Sequence, residues 1–158
     1  MKDYYISLGS NLGDRYQYIQ NALDALAAQE GVRAVTCSSL LETAPWGNEN
    51  QGAFINGLCL CQAELEPLTM LNLIQSIEKA NGRERKIHWG PRTLDLDIVW
   101  VEDEKGPISY EDSRLQVPHP YFWDRTFVLI PLQELYPDFS YQGQGIGDRI
   151  SELEGLGS

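Results

Sequence analysis

The chain has 158 residues, 42 % hydrophobic and 22 % charged, with a formal net charge of −11, which is the composition of a soluble globular protein long enough to bury its own core. The negative balance argues against binding to bulk nucleic acid or to anionic membranes. No apolar run reaches the roughly 18 residues of a transmembrane helix, and the opening MKDYYISLGSN lacks the apolar stretch of a secretory signal, so a cytoplasmic chain with one domain, residues 1–158, is expected.

Tyr4–Leu8 reads as a first strand, and Gly9-Ser10-Asn11 as a turn in which Ser10 or Asn11 caps the helix that follows. Leu12, Tyr16, Ile19, Leu23 and Leu26 recur at helical spacing and predict its buried face, with Gly31 as the stop. Ala34–Leu41 predicts a second strand and Phe54–Cys61 a third. Between them Glu42–Gly52, carrying Pro45, Gly47, Asn48, Asn50 and Gly52, predicts a long loop of the kind that often holds function. Pro67 can open a second helix without losing a hydrogen bond, Leu68, Leu71, Ile74 and Ile77 mark its buried face, and Asn81-Gly82 ends it. Leu94–Val101 predicts a fourth strand. The order strand, helix, strand, strand, helix, strand fits an α+β ferredoxin-like sandwich, a mainly antiparallel sheet with both helices on one face and extra C-terminal strands and helices. Further on, Glu102–Gly106 reads as a charged turn, Ile108–Val117 as short strands, and Phe127–Leu135 as a short helix in which Pro131 is awkward. Cys37, Cys59 and Cys61 match no metal spacing, and Cys59 and Cys61 read as reduced core residues.

The densest chemistry lies in Trp89-Gly90-Pro91-Arg92-Thr93-Leu94-Asp95-Leu96-Asp97-Ile98. Side chains alternate along a strand, so Asp95 and Asp97 share one face, while Leu94, Leu96, Ile98 and Trp100 share the other and can pack on the core. Two adjacent carboxylates repel unless a cation lies between them, and Mg²⁺ is commonly held by one or two carboxylates with water and substrate phosphates completing the octahedron. A pair of solvated aspartates on an exposed sheet is the plainer alternative. The neighbouring run GRERKIHWGPR sets Arg83, Arg85, Lys86 and Arg92 against one acid, Glu84. A basic island in an acidic chain is either a solvated loop or a grip for an anion, and guanidinium groups suit phosphate. Carboxylates for a metal beside arginines for phosphate are what an Mg–nucleotide site requires. Phe54 and Asn56 face the same way on the third strand, and an amide beside an aromatic ring can read the edge and cover the face of a flat heterocycle; a core phenylalanine and an asparagine satisfied by backbone are the plainer alternative. His119 lies between Pro118 and Pro120, stiffened and able to hydrogen-bond a phosphate, with a satisfied surface histidine as the plainer alternative.

These runs resemble the 6-hydroxymethyl-7,8-dihydropterin pyrophosphokinase family. The similarity extends over nearly the whole chain through SLGSNLGD, ETAPWG, FING, GRERKIHWGPRTLDLDI, LQVPHP and DRTFVLIPL, and WGPRTLDLDI is its most specific part. The resemblance implies a ferredoxin-like enzyme that moves the β,γ-pyrophosphoryl unit of ATP onto the pterin hydroxymethyl group in folate biosynthesis. It implies two Mg²⁺ ions held by Asp95 and Asp97, catalytic arginines at Arg83 and Arg92, and nucleotide contacts from Leu71, Gln75, Glu78, Arg85, Trp89, Arg92, Ile98, Arg114, His119 and Arg125. The pterin would be held by Asn56 and Asp95 and stacked between Phe54 and Phe127, with Thr43, Pro45 and Trp46 lining its pocket. Phe54, Ala44, Trp46, His88, Gln116 and Pro120 depart from the family's usual residues, and none of them replaces a metal ligand or catalytic arginine. ATP and the pterin are the expected partners, with no nucleic acid or membrane, and the chain is expected to be a monomer. A ligand-sensing module of the same fold and a metal-dependent phosphatase that releases inorganic phosphate, not AMP, are the alternatives the residues leave open.

Overall fold

The computed structural model of the chain describes residues 1–43, 53–82 and 94–156. Strand β1 (Lys2–Ser10) leads to α1 (Arg15–Ala28), then β2 (Val32–Cys37), β3 (Leu41–Thr43), β4 (Phe54–Ala63), α2 (Pro67–Ala80) and β5 (Asp95–Asp103). Four short strands follow in chain order, β6 (Gly106–Pro107), β7 (Tyr110–Glu111), β8 (Gln116–Val117) and, beyond α3 (Thr126–Leu135), β9 (Ser140–Tyr141). A 3-10 turn at Phe122–Asp124 precedes α3, and β10 (Gln144–Gly145) and α4 (Ile146–Leu156) close the chain. The principal sheet has the order β2-β4-β1-β5-β6, with β3 also paired to β4, and every pairing in it is antiparallel. It is thus a mixed α/β chain on an antiparallel sheet, with four α-helices among the described residues. No helix among them is long and apolar enough to cross a membrane.

One face of the sheet is covered by α1 and α2. Tyr4, Ile6 and Leu8 of β1, Leu96 and Ile98 of β5 and Cys59 and Cys61 of β4 meet Ile19, Ala22 and Leu26 of α1 and Met70, Leu71, Ile74 and Ile77 of α2 in a single buried cluster. Cys59 and Cys61 are free thiols in this core, as their apolar context predicts, and burial pushes both thiols up. The opposite face carries a second cluster. Tyr5, Leu58, Val99 and Trp100 pack there on Phe122, Val128, Leu129, Leu132, Phe139, Ile146 and Ile150.

Trp100 does not share the face of Leu94, Leu96 and Ile98, as simple alternation predicts. The β1–β5 register shifts between Tyr5 and Ile6, so that Tyr5 pairs with Trp100 and Ile6 with Ile98, leaving Val99 as the extra residue of a bulge. The bulge turns Trp100 to the second cluster, where its ring meets Phe139 edge-on at 4.8 Å and Tyr141 at 5.8 Å. Truncation of Trp100 to Ala is expected to cost about 3–5 kcal/mol, the range for deleting a buried aromatic. Urea unfolding monitored by far-UV circular dichroism checks this, and a loss under about 1 kcal/mol would contradict the packing role.

Other expectations need correction. The cap of α1 is Asp14, whose side chain accepts the Gln17 N–H at 3.1 Å, and neither Ser10 nor Asn11, which are buried at the end of β1. Leu12 precedes the helix and is 45 % exposed, and Tyr16 is 56 % exposed, so the buried face starts at Ile19 and uses Ala22 as well. Strand two ends at Cys37, and the chain reaches β3 only after Ser38 has bonded both backbone groups of Leu58, its N–H to the carbonyl and its hydroxyl oxygen to the N–H. The long loop starts later than expected, because Glu42 and Thr43 belong to β3. The turn at Glu102–Gly106 is shorter, because β5 continues to Asp103. Helix α3 runs through Pro131, which is buried along with Val128, Leu129 and Leu132, and this burial offsets the missing N–H.

Candidate active site

The sheet's second face is covered by α3 and α4 at one end and open at the other. The opening is a cavity of about 630 Å³, in the size range of small-molecule sites. Its floor is the sheet, with Ser7, Leu8 and Gly9 of β1, Thr43 of β3, Phe54, Asn56 and Gly57 of β4, and Asp95 and Asp97 of β5. Its roof is the segment that enters α3, from Tyr121 and Asp124 through Arg125, Thr126 and Phe127 to Val128.

Register explains why these residues meet. Asn56 pairs with Gly9, and Gly9 on its other side pairs with Asp95, so the three form one row across β4, β1 and β5. Asp97 lies in the next row on that face, opposite Ser7. Each aspartate thus faces one of the smallest side chains on the neighbouring strand, which leaves room in front of both half-buried carboxylates. At Gly9 a Cβ would come 3.4 Å from the Asn56 Oδ1 and 3.8 Å from the Phe54 ring, so the missing side chain keeps the middle of the floor open. Asn56 is buried, and its Nδ2 donates to Thr43 Oγ1 at 2.8 Å, which fixes the amide with its carbonyl oxygen on the Gly9 side.

Arg125 is held by its neighbours. Its guanidinium carbon lies 5.6 Å from the Tyr121 ring centroid and 5.9 Å from that of Phe127, so two aromatic faces brace the cation. His119 is half-buried next to this pair. Its backbone N–H donates to the Val99 carbonyl at 3.0 Å, and its Nδ1 accepts the Tyr121 N–H at 3.1 Å, which leaves the proton of the neutral ring on Nε2. Burial, then the Arg125 cation, lower the His119 pKa, against an opposing pull from Asp95. The unfolded chain therefore binds this proton before the folded one does. Stability is expected to fall as pH drops below about 6.5 and to level off once the lowered folded value is passed. A ¹⁵N–¹H NMR titration should show the Nε2–H tautomer and a midpoint below about 6.5; a midpoint above that value would contradict the assignment.

The remaining nucleotide candidates lie on the helix side or at its edge. Glu78 is buried on α2, and its carboxylate accepts the Leu96 N–H at 2.9 Å, pinning the peptide between Asp95 and Asp97. Leu71 and Ile98 are buried in the first core cluster. Gln75 and Arg114 are brought together, with the guanidinium donating to Gln75 Oε1 at 3.2 Å and to Asn72 Oδ1 at 2.6 Å. Asp112 shapes that turn by accepting the N–H groups of Arg114 and Leu115. The Arg114 N–H, followed by the Tyr110 hydroxyl, holds its carboxyl below the usual range. Pro45, Trp46, Arg83, Arg85, Trp89 and Arg92 lie outside the described residues. Sequence reasoning missed Ser7, Gly9, Tyr121, Asp124 and Thr126 as cavity residues. Gly9, expected in a turn after Tyr4–Leu8, instead lies inside β1, which runs on to Ser10, and a glycine within a strand often marks close backbone approach.

The donor set of the floor is two carboxylate groups, hard oxygen donors on one rigid strand. Among the described residues no group of three or more His, Cys, Asp or Glu side chains could cage a metal. A pair of this kind fits a cation such as Mg²⁺ that keeps water and ligand oxygens in its shell, and does not fit a closed structural metal site.

Residues 5–137 match the family model described as 7,8-dihydro-6-hydroxymethylpterin-pyrophosphokinase (HPPK). A 2-amino-4-hydroxy-6-hydroxymethyldihydropteridine pyrophosphokinase of Methylorubrum extorquens is 37 % identical over 153 residues, 97 % of this chain and 94 % of that protein. The protein of the same name from Bacillus subtilis is 43 % identical over 131 residues, 83 % and 76 % of the two chains. Among solved structures, the Plasmodium falciparum HPPK-DHPS wild type with pterin and p-hydroxybenzoate superposes with a TM-score of 0.69 at 16 % identity, over 98 % of this chain. This chain spans 43 % of the length of that longer protein, and the likeness speaks for the fold. With more than half of its length matched by the family model and relatives this similar over most of both chains, the chain belongs to the 7,8-dihydro-6-hydroxymethylpterin-pyrophosphokinase family.

Proposed function

We propose that the chain transfers the β,γ-pyrophosphoryl group of ATP to the hydroxymethyl group of 6-hydroxymethyl-7,8-dihydropterin, giving the pterin pyrophosphate and AMP in folate biosynthesis. The observation that carries this reading is the row Asn56–Gly9–Asp95, which joins a heterocycle-reading amide to the carboxylate pair across one cavity floor. Two strand spacings separate the ends of the row, about 9.5 Å, a span suited to a fused bicyclic ring with a one-carbon arm. The Asn56 amide reads the ring edge, Phe54 and Phe127 cover its faces, Thr43 supports the amide, and the hydroxymethyl arm points to Asp95.

Asp95 and Asp97 would hold the Mg²⁺ ions that the family pattern implies, two in number. When bound, such ions neutralise phosphate charge and lower the pKa of the attacking hydroxyl. The pterin oxygen attacks the β-phosphorus, the bond from that phosphorus to the oxygen bridging the α-phosphate breaks, and AMP leaves with that oxygen. The hydroxyl proton is released. The chain's own contribution is to align the two substrates and keep cations ready at the phosphates, which raises effective concentration and stabilises charge that develops during transfer. Arg125, braced by its two rings on the roof, and neutral His119 beside Tyr121, with Nε2–H as a donor, serve the phosphates. Arg114 and Gln75 serve the nucleoside end at the edge of β5, with Leu71, Glu78 and Ile98 behind it. Arg83, Arg85, Trp89 and Arg92 complete the nucleotide site on the strength of the sequence pattern, and Pro45 and Trp46 the pterin pocket.

We also infer a ferredoxin-like arrangement, supported by the antiparallel order β2-β4-β1-β5 with α1 and α2 on one face, and a monomeric, single-domain cytoplasmic enzyme. The test is AMP release on mixing the protein with ATP, Mg²⁺ and the pterin alcohol. AMP formed only when both pterin and Mg²⁺ are present supports the reading. Release of inorganic phosphate in place of AMP, or no product from folded protein, overturns it.

A further inference from the structure

Arg149 lies on α4, on no strand of the cavity, yet its side chain is only 15 % exposed. All of its nitrogens are engaged. Nε donates to the Trp123 carbonyl at 2.8 Å, Nη2 to Asp124 Oδ1 at 2.6 Å, and Nη1 to the Glu152 carboxylate one turn along the same helix. Two of these three partners are the last residues of the 3-10 turn, and the next residues, Arg125, Thr126 and Phe127, form the cavity roof. A planar fork bonded to a carbonyl and to the adjacent carboxylate fixes both position and orientation of the segment it grips.

The charge matters as much as the grip. Asp124 lines the cavity and is the residue next to Arg125. If this cavity receives a triphosphate, an uncompensated carboxylate there repels the ligand and competes with it for the Arg125 guanidinium. Arg149 lies on the Asp124 carboxylate and holds it in a pair.

We propose that Arg149 is a positioning residue for the reaction, which fixes the roof segment that carries Arg125 and Phe127 and keeps Asp124 from opposing the phosphates. The inference rests on the functional reading of the cavity given above. It assigns Arg149 no contact with substrate, so its removal should weaken binding far more than it slows the chemical step.

The test compares the unsubstituted protein, Arg149→Ala, and Arg149→Ala combined with Asp124→Asn. KM and kcat are measured by AMP release, and Kd for a non-hydrolysable ATP analogue by calorimetry with Mg²⁺ present. Arg149→Ala is expected to raise the KM of both substrates and the analogue Kd about tenfold, the equivalent of one lost charge-assisted contact. The expected change in kcat is under about threefold, the pattern of lost uniform binding. Adding Asp124→Asn should recover a measurable part of the loss. A folded Arg149→Ala protein with a lower Tm but unchanged KM and Kd values overturns the proposal, as does a loss that Asp124→Asn fails to relieve at all. If Arg149→Ala does not fold, Arg149→Lys keeps the charge without the fork and is expected to raise both KM values by a smaller factor; unchanged values overturn the proposal equally. Absence of AMP release from the unsubstituted protein would sink the functional reading instead, and the analogue Kd values of the three proteins would still decide on Arg149.

Discussion

Replacement of Asp95 or Asp97 by Ala is expected to lower turnover by about 10³-fold or more if the pair holds the proposed metal, which would stabilise several kcal/mol of transition-state charge. The expectation rests on position. Both carboxylates point into one cavity from a strand that β1 pairs on one side, and the Glu78 carboxylate holds the Leu96 peptide between them. Opposite them stand Gly9 and Ser7, so nothing bulky from the neighbouring strand fills the space they face. The core lies on the other side, with Leu94, Leu96 and Ile98, so the Ala variants should keep their fold. The check is AMP release at saturating ATP, pterin and Mg²⁺, with thermal unfolding as the control for folding. Full activity in either folded variant would remove that residue from the proposed metal site. Asp→Asn variants sharpen the result, since the amide keeps the shape and loses the charge. They should be nearly as impaired if the carboxylate binds a cation, and close to normal if it only hydrogen-bonds.

The parts of this fold that were legible in the sequence are those whose pattern is local. Helix α2 shows its start in Pro67, its face in Leu71, Ile74 and Ile77, and its end in Asn81, with Gly82 at φ +82, a conformation open to a residue without Cβ. The pairing of Asp95 with Asp97 and of Phe54 with Asn56 follows from alternation along one strand. What was not legible depends on partners far along the chain. The bulge that sends Trp100 to the other face is a mismatch between β1 and β5, and no spacing within β5 records it. The break between β2 and β3 follows from Ser38 bonding to Leu58 and from Glu134, on α3, accepting the Ser39 N–H at 2.9 Å and its hydroxyl at 2.9 Å. Helix α4 carries Ile146, Ile150 and Leu153 at helical spacing, but the glycines at 143, 145 and 147 mask its beginning. For the site, residue types identified the floor, whereas Tyr121 and Asp124 become cavity residues only because α3 folds back over β4.

Arg83→Ala and Arg92→Ala are expected to slow the chemical step by about 10³–10⁵ while weakening ATP binding far less. Both residues lie outside the described part of the chain. Arg92 is three residues before Asp95, a stretch of chain that spans at most about 11 Å, and Arg83 directly follows Gly82 at the end of α2. That end of α2 is tied to β5 through Glu78 and the Leu96 N–H, so the two described elements that flank the segment carrying both arginines are bonded to each other beside the aspartate pair. A guanidinium that meets the phosphates equally before and during transfer improves binding without raising kcat, whereas one that meets charge appearing only during transfer raises kcat. Single-turnover rates and analogue Kd values separate the two cases. A large fall in rate with a Kd change under about tenfold assigns the arginine to the transition state. Equal losses in both quantities would make it a nucleotide-binding residue and leave charge stabilisation to the groups proposed for it above, Arg125, His119 and any ion held by Asp95 and Asp97.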